Sequence, residues 1–355
     1  MWSRKDPFKK LMTKAVALYS GGLDSTLAIL AMQKQDIEVT AITFLNHFGC
    51  DISDRSSCSK DPFAASVKFG FKVKLSHLAD KFLNIVINPK HGHGKNMNPC
   101  VDCRILMLRE ARELMQMIDA DFIITGEVVG QRPMSQRRDC FPLVDREADV
   151  RGLVLRPLCA RHLKKTIPEE KGLVNRDTLY GFSGRSRKPQ MALAKEFGLT
   201  EYPAPAGGCL LTDPIYSSRL RDLLAHNGNP DYRDINYLRL GRHFRLSADC
   251  KIVVGRNHAE NELIKSFAGN DDPMLQVIGH GSPFTVILGN ATEKAISVAA
   301  SLCARYSDGK IHSQVTVLMK TADEKVYLRA CPAGEELIEK YRVAEKEKPA
   351  NALTD

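Results

Sequence analysis

The sequence predicts an α/β protein with a doubly wound parallel sheet, followed by a second, smaller α+β domain. Over the first 225 residues, short apolar runs alternate with longer segments of helical periodicity, which is the pattern of a parallel sheet covered by helices. A dense cluster of turn residues, HNGNPD, then separates this part from a region of short strands. The 355 residues are enough for two such cores.

The elements of the first part follow from its apolar pattern. The predicted strands are 15–19, 37–45, 71–76, 121–125 and 152–155, and the predicted helices are 23–35, 61–69, 103–118, 162–170, 187–197 and 214–225. The first run, AVALY, is apolar throughout, as expected of a strand buried on both faces. Ligands of such sheets bind outside the carboxyl ends of the strands, so we expect the functional residues there.

The second part has a different pattern, in which strands outnumber helices. The predicted strands are 237–246, 251–254, 284–288, 315–319 and 325–328, and the predicted helices lie near 258–267 and 291–306. This arrangement favours a separate α+β domain. We therefore expect the domains to be 1–231 and 232–355.

The hexapeptide SGGLDS follows the first strand and opens the first helix. Gly21 and Gly22 let the backbone of this turn approach a ligand closely, because they have no Cβ. The amides of the helix start favour an anion, and Ser20 and Ser25 add hydroxyl donors. Asp24 repels a phosphate unless it holds a magnesium ion that bridges phosphate oxygens. The motif predicts a nucleotide site, although a plain Gly-Gly turn is the alternative.

The hexapeptide is not the phosphate loop of kinases and GTPases, since the chain has no G-x-x-x-x-G-K-[ST] string. It resembles the signature SGG-x-D-S of the PP-loop ATP pyrophosphatase superfamily, which has an adenine nucleotide α-hydrolase-like fold. The resemblance implies cleavage of ATP between its α and β phosphates. Gly126 ends the fourth apolar run, and we expect it to let ATP lie close to the backbone, although an ordinary turn glycine is the alternative.

Three cysteines form the second group of candidate residues. Cys100 and Cys103 precede a helix in the motif NPCVDC, so we expect the helix dipole to lower their thiol pKa values. The spacing leaves open half of a zinc site and a redox or cluster pair. Cys209 follows two glycines in PAGGCLLTDP, and a single cysteine is more often a buried apolar residue.

Together, these motifs resemble the PP-loop enzymes of tRNA thiolation, a thiouridine synthase or thiouridylase-like group. The resemblance covers residues 12–225 and includes ITGEVVGQRPMSQ and GRSRKPQMALAKEFGL. It implies that Cys100, Cys103 and Cys209 hold a [4Fe–4S] cluster whose fourth iron is open to sulfur. A persulfide relay between Cys209 and Cys100 or Cys103 is left open. The sulfur donor would be sulfide or the persulfide of a cysteine desulfurase.

The charge of the chain suggests a polyanionic partner. The net charge is +9, and residues 132–188 contain 14 Lys and Arg against 7 Asp and Glu, a local excess of +7. Such a basic segment favours RNA, although a solvated basic face is an alternative. Candidates for tRNA or phosphate contact are Arg132, Arg185, Arg187 and Lys188, and the pair Arg185 and Arg187 is also a candidate clamp for ATP.

The second domain carries a resemblance of its own. The segments LGRHFRL and VGRNHAEN, followed by ARYS, are similar to the NFACT-R module of RNA- and ribosome-associated proteins. The chain has no run of 18 apolar residues and no N-terminal signal pattern, so we expect no membrane contact and a cytoplasmic location. The oligomeric state is open, with a homodimer among the states considered.

The function expected from these features is ATP-dependent tRNA sulfurtransfer. ATP would adenylate a base carbonyl oxygen, release pyrophosphate and allow sulfur to replace the oxygen, at the 2- or 4-position of a nucleoside that the sequence does not specify. Two alternatives are kept. One is a PP-loop enzyme that amidates a small molecule or forms a deazaguanine-type nitrile and binds zinc. The other is a non-catalytic RNA-binding protein.

Overall fold

The computed structural model of the chain describes residues 12–46, 48, 63–203 and 209–343. Contacts divide the chain into two compact units, Met1–Thr212 and Asp213–Asp355. The first unit contains a five-stranded sheet and the second a six-stranded sheet. The domain boundary that the sequence suggests, after residue 231, stays a prediction.

The first unit is an alternation of strands and helices. Its strands are β1 Lys14–Leu18, β2 Glu38–Leu45, β3 Lys72–His77, β4 Phe122–Thr125 and β5 Val154–Leu155. Its helices are α1 Leu23–Gln33, α2 Ala64–Phe69, α3 Ala79–Ile87, α4 Cys100–Met117, α5 Cys140–Glu147, α6 Ile167–Glu170 and α7 Lys188–Glu196, with 3₁₀ turns at Ala160–His162, Arg176–Thr178 and Leu210–Thr212.

These strands form one parallel sheet in the order β3-β2-β1-β4-β5. Ala15, Ala17 and Tyr19 pack in one core with residues of α1. The alternating residues Val16 and Leu18 are buried on the opposite face, and α4 also packs against β1. Helices therefore cover both faces, and the predicted doubly wound fold is confirmed.

The strand order runs outward from β1 to β3 on one side and from β4 to β5 on the other. Open α/β sheets bind their ligands at this switch point between β1 and β4. Gly126 lies at this point, directly after β4. A Cβ on Gly126 would come within 2.5 Å of the Asp24 carbonyl carbon and the Ser25 amide nitrogen. Glycine at 126 thus allows the start of α1 to pack directly against the end of β4.

The second unit is an antiparallel sheet with helices. Its helices are α8 Pro214–His226, α9 Tyr232–Tyr237, α10 His258–Phe267, α11 Glu293–Arg305 and α12 Glu335–Tyr341, and a 3₁₀ turn spans Asp308–Ile311. Its strands are β6 Arg242–Ser247, β7 Cys250–Val254, β8 Met274–Val277, β9 Thr285–Gly289, β10 Val315–Lys320 and β11 Lys325–Ala330, in the order β11-β10-β8-β9-β7-β6. The predicted α+β character is confirmed.

Several elements differ from those predicted. The strand predicted over 237–246 begins at Arg242, because a capping box between Asp231 and Asp234 nucleates α9 before it. Helix α5 contains Pro142 in its first turn, where the missing N–H costs nothing, and sequence reasoning missed the helix. Helices α3 and α12 and strand β8 are short and were also missed. The predicted helix 162–170 is a 3₁₀ turn followed by α6.

No helix among the described residues is both long and apolar enough to cross a membrane.

Replacing Gly126 with alanine is expected to destabilise the first unit by about 1–3 kcal/mol, because the new Cβ overlaps the backbone of α1. Gly228→Ala is the control, since a Cβ there meets nothing within 4 Å and its effect should stay within about 0.5 kcal/mol. Calorimetric unfolding of both variants measures the difference. Equal midpoints for the two variants would contradict this packing role.

Candidate functional site

The loop between β1 and α1 has the geometry of an anion-binding turn. Gly21 has a φ of 68°, a left-handed conformation that favours glycine, and Gly22 is the N-cap of α1 without a side chain to cap it. The Oγ of Ser25 and the Oγ1 of Thr26 each donate to the Gly22 carbonyl at 3.0 Å. These two bonds fix the loop from the side of helix α1, while Ser20 is exposed to solvent.

Asp24 lies half-buried in the first turn of α1. The Nε2 of Gln131 donates to its Oδ2 at 2.9 Å, whereas its Oδ1 is buried and has no hydrogen-bond partner within the described chain. Burial raises the pKa of Asp24, and the hydrogen bond from Gln131 and the charges of Arg187 and Arg132 oppose this rise. A buried carboxylate oxygen without a partner fits a magnesium ligand.

Two further segments stand beside this loop and are tied to each other. The Gly184 amide donates to the Val129 carbonyl at 2.8 Å, and Val129 also forms a parallel bridge with Ser183. Arg187 follows in the N-cap position of α7, close enough to act electrostatically on Asp24. Arg185 is exposed, and the structure brings no contact between it and Asp24 within the described residues.

Cys100 and Cys103 both lie in the first turn of α4, which begins directly after Pro99. The expected lowering of their pKa values is wrong. Burial raises the pKa of Cys100, and it raises the pKa of Cys103 to about 12 against the charge of Arg104. Desolvation disfavours the thiolate by more than the helix terminus favours it.

The turn that carries Cys209 is held beside this pair by hydrogen bonds. The Met97 amide donates to the Leu211 carbonyl at 3.0 Å, and the Nδ2 of Asn96 donates to the Thr212 carbonyl at 2.7 Å. The thiols of Cys209 and Cys100 both contribute to the raised pKa of Cys103. The three cysteines that the sequence singled out are therefore neighbours in the fold.

The cysteines match an iron–sulfur or zinc site in the kind of donor they offer, since thiolates are the ligands of both. Their present spacing does not form a closed metal site. Within the described ranges, no three side chains of the His, Cys, Asp and Glu types are placed to hold a metal ion. The glycines before Cys209, at 207 and 208, lie outside the described residues.

Arg132 connects the loop of Asp24 with the cysteines. Its charge acts on the carboxyl of Asp24 and also on the thiols of Cys100 and Cys103. Its side chain is exposed. The same cation therefore acts on the candidate nucleotide loop and on the candidate sulfur site.

Glu127 is a buried residue beside the candidate site that sequence reasoning missed. Its Oε2 accepts from the Oγ1 of Thr125 and the Nε of Arg156, both at 3.0 Å, and its Oε1 lies 3.0 Å from the Nε of Arg104. Burial alone would raise the pKa of Glu127, but Arg104 and Arg156 hold it below its ordinary value. The available signal was a glutamate directly after an apolar strand, in FIITGE.

Arg156 extends this buried network to α5. It forms a two-bonded ion pair with Asp145, at 2.7 and 3.0 Å, and its guanidinium lies 4.1 Å from the centre of the Phe141 ring. Since Arg104 is next to Cys103 in α4, the network joins the cysteine helix to the end of β4 and to α5.

Two family models match separate parts of the chain. Residues 11–171 match the family described as thiamine biosynthesis protein (ThiI), and residues 241–342 match the NFACT protein RNA binding domain. One region of the chain is thus similar to the ThiI family and a second, separate region is similar to the NFACT RNA binding domain. The predicted resemblances of the two parts, to PP-loop proteins of tRNA thiolation and to the NFACT-R module, are thereby confirmed.

The chain also resembles curated proteins over part of their length. It is 31% identical to the bifunctional protein NifU/MnmA of Rubrobacter xylanophilus over 43% of this chain and 32% of that protein. It is 26% identical to the tRNA-specific 2-thiouridylase MnmA of Methylobacterium radiotolerans over 65% of this chain and 60% of that protein. The chain thus spans between a third and three fifths of these relatives. A 4-thiouridine synthetase–RNA complex with bound ATP matches at 22% identity and a TM-score of 0.36, over 53% of this chain and 41% of that one.

Replacing Glu127 with glutamine is expected to lower the free energy of unfolding by about 3 kcal/mol at pH 7, because the buried Arg156 and the partly buried Arg104 lose a charged partner. The lowered pKa of Glu127 means that its contribution is present above pH 4.5 and is lost as the pH falls through the lower folded-state pKa. Urea unfolding at pH 7 and at pH 3 should therefore show a difference from wild type that shrinks in acid.

Glu113→Gln, on the exposed side of α4, is the matched control and should change the free energy of unfolding by less than about 0.5 kcal/mol. A loss for Glu127→Gln that is no larger than the control, or one that grows in acid, would contradict the role of this network.

Proposed function

We propose that this protein is an ATP-dependent tRNA sulfurtransferase that adenylates a base carbonyl oxygen and replaces it with sulfur. The observation that carries the proposal is the adjacency of the SGGLDS loop and the three cysteines, with Arg132 acting on both. The reaction requires such a pair of sites, because a carbonyl oxygen is a poor leaving group until it is activated. The names of the curated relatives, 2-thiouridylases among them, support this activity.

The first half of the reaction would take place at the β1–α1 loop. The base oxygen forms a bond to the α-phosphorus of ATP, the bond to the β-phosphate oxygen breaks, and pyrophosphate leaves. The amides of Gly21 and Gly22 and the hydroxyl of Ser20 would face the phosphates, while the Ser25 hydroxyl holds the loop through the Gly22 carbonyl. Arg187 and Arg132 would balance the charge of the phosphates. Asp24 would hold the magnesium ion that accompanies ATP, through the oxygen that lacks a partner.

The second half would take place at the cysteines. Sulfur forms a bond to the activated carbon, the bond from that carbon to the adenylated oxygen breaks, and AMP leaves. Cys100, Cys103 and Cys209 would hold a [4Fe–4S] cluster, which supplies an iron with an open position for sulfur. The persulfide alternative places the sulfur on one of the same cysteines. Sulfide would supply the sulfur to the cluster. In the persulfide alternative, a cysteine desulfurase persulfide would pass its outer sulfur to one of the cysteines, and the second cysteine would form a disulfide with the first as the sulfur stays on the base.

The tRNA would be held by charge around this site and by the second unit. Three exposed cations are available for this contact. Arg132 lies on the segment that borders the SGGLDS loop, Arg185 just precedes α7, and Lys188 is the first residue of α7. The second unit contains the match to an RNA binding domain. We also propose that the protein works in the cytoplasm, where its thiols stay reduced, and that residues 1–231 and 232–355 are its domains.

Asp24→Asn is expected to lower tRNA-dependent pyrophosphate release at least about 100-fold, because the variant loses the charge that would bind magnesium beside the phosphates. Asp36→Asn is the control, since Asp36 is exposed at the far end of α1 and its φ of 58° suits asparagine equally well. Release by Asp24→Asn at the wild-type rate would contradict the assignment. Unchanged thionucleosides in tRNA from cells without the gene would contradict the proposed function.

Protein purified without oxygen is expected to contain about four irons per chain, the content of one [4Fe–4S] cluster, and to be brown. The iron should be lost in Cys100→Ala, Cys103→Ala and Cys209→Ala and kept in Cys331→Ala, whose cysteine is exposed elsewhere. Metal analysis and the visible absorption spectrum measure this. Bound zinc, or active protein without iron, would contradict the cluster, and the latter result would favour the persulfide relay.

A further inference from the structure

The sheet of the second unit has one face that is only half covered. Its first face packs against α11 and α12 through a continuous apolar core that includes Val317 and Leu275. Its second face is covered around β7 and β9 by α9 and α10, through residues such as Val253 and Val286. On β8, β10 and β11 the residues of that second face are exposed or only partly buried. No described residue therefore covers the sheet there.

The residues of this open face are defined by the strand register. Tyr327 on β11 lies opposite Leu318 on β10, which lies opposite Gln276 on β8. Because cross-strand partners point to the same face, these residues form a row across three strands. The neighbouring rows are Lys325, Lys320 and Met274, and Arg329 with Thr316. Met274 packs against the covered half of the face. We call these seven residues the open face: Gln276, Thr316, Leu318, Lys320, Lys325, Tyr327 and Arg329.

Charge and aromatic area coincide on the open face. Tyr327 is 68% exposed, although large apolar and aromatic side chains on the other half of this face are buried. Lys325 and Arg329 flank it at two-residue spacing on the same strand. The open face contains three cations and no carboxylate, and the nearest acidic residues along the hairpin, Asp323 and Glu324, lie in the turn at its end.

We propose that the open face binds single-stranded RNA, with Tyr327 stacking on an unpaired base and Lys320, Lys325 and Arg329 contacting phosphates. This proposal rests on the RNA partner of the proposed function. An exposed aromatic ring between cations is the combination that binds unpaired nucleotides, because every base has a face that stacks and every linkage carries a charge. A flat sheet surface also suits bases that are splayed out of a helix.

The composition of the open face favours RNA over a protein partner. The buried centre of a protein interface is apolar and depleted of lysine, whereas the open face has two lysines and an arginine around Leu318, with Met274 and the exposed Ile278 at its β8 edge. A paired RNA helix offers no base face to Tyr327, and so it would use the cations alone. The ring therefore predicts a preference for single strands over duplexes.

The test measures binding of a fluorescent ten-nucleotide RNA to the full chain by anisotropy, with the duplex of the same sequence for comparison. Tyr327→Ala is expected to weaken single-strand binding about tenfold and duplex binding by less than twofold, while Tyr327→Phe keeps the ring and the affinity. Arg329→Ala should reduce the slope of log affinity against log salt by about 1. Lys294→Ala, an exposed lysine on α11 on the opposite side of the sheet, is the charge control.

A second measurement locates the RNA on the chain. A single strand that contains 5-iodouridine is irradiated with the full protein, and the cross-linked peptide is identified by mass spectrometry. Cross-links in residues 315–330 are expected for wild type and Tyr327→Phe and should be lost in Tyr327→Ala. Wild-type binding by Tyr327→Ala, equal loss in Tyr327→Phe, or cross-links elsewhere only would overturn the proposal.

The same variants separate this proposal from the function proposed for the first unit. If Asp24→Asn still releases pyrophosphate in the presence of tRNA, the proposed ATP site is contradicted, but the proposal for the open face is not. Normal pyrophosphate release together with unchanged RNA binding in Tyr327→Ala would overturn the open face alone.

Discussion

The buried carboxylate of Glu127 is the contact on which the candidate site depends. It pairs with Arg104, which is next to Cys103 on the cysteine helix, and with Arg156, which is anchored to Asp145. The preceding residue, Gly126, packs against the backbone of Asp24 and Ser25 in the nucleotide loop. Two consecutive residues at the end of β4 therefore position the two halves of the site. A buried carboxylate is stable here only because two guanidinium groups surround it.

The same burial shapes the chemistry of the groups that it positions. The pKa values of Asp24, Cys100 and Cys103 are all raised by desolvation, against the charges of nearby arginines. Such groups give up their protons most readily when a cation takes the place of those protons. This environment is consistent with the magnesium ion proposed at Asp24 and with the metal proposed at the cysteines. The helix terminus contributes less than this desolvation.

The fold class and most of the candidate residues could be predicted because they follow from local patterns. The apolar strand before SGGLDS and the helix after NPCVDC each depend on a few consecutive residues. The cysteine pKa values could not be predicted, because burial by distant segments decides them. Glu127 was missed for the same reason, since its partners Arg104 and Arg156 are separated from it along the chain. The hydrogen bonds that bring Cys209 beside the pair also join distant turns.

The two units show how the same residue types serve different ends in one chain. In the first unit, Arg104 and Arg156 form ion pairs with the carboxylate of Glu127 and fix the geometry of the candidate site. In the second, Lys325 and Arg329 lie exposed on a strand face that contains no carboxylate. A buried, paired arginine attracts no polyanion from solution, because its charge is already balanced. The exposed cations on the sheet surface therefore support the proposed attraction of RNA in a way that net charge alone does not, and Tyr327 would add the selection for unpaired bases.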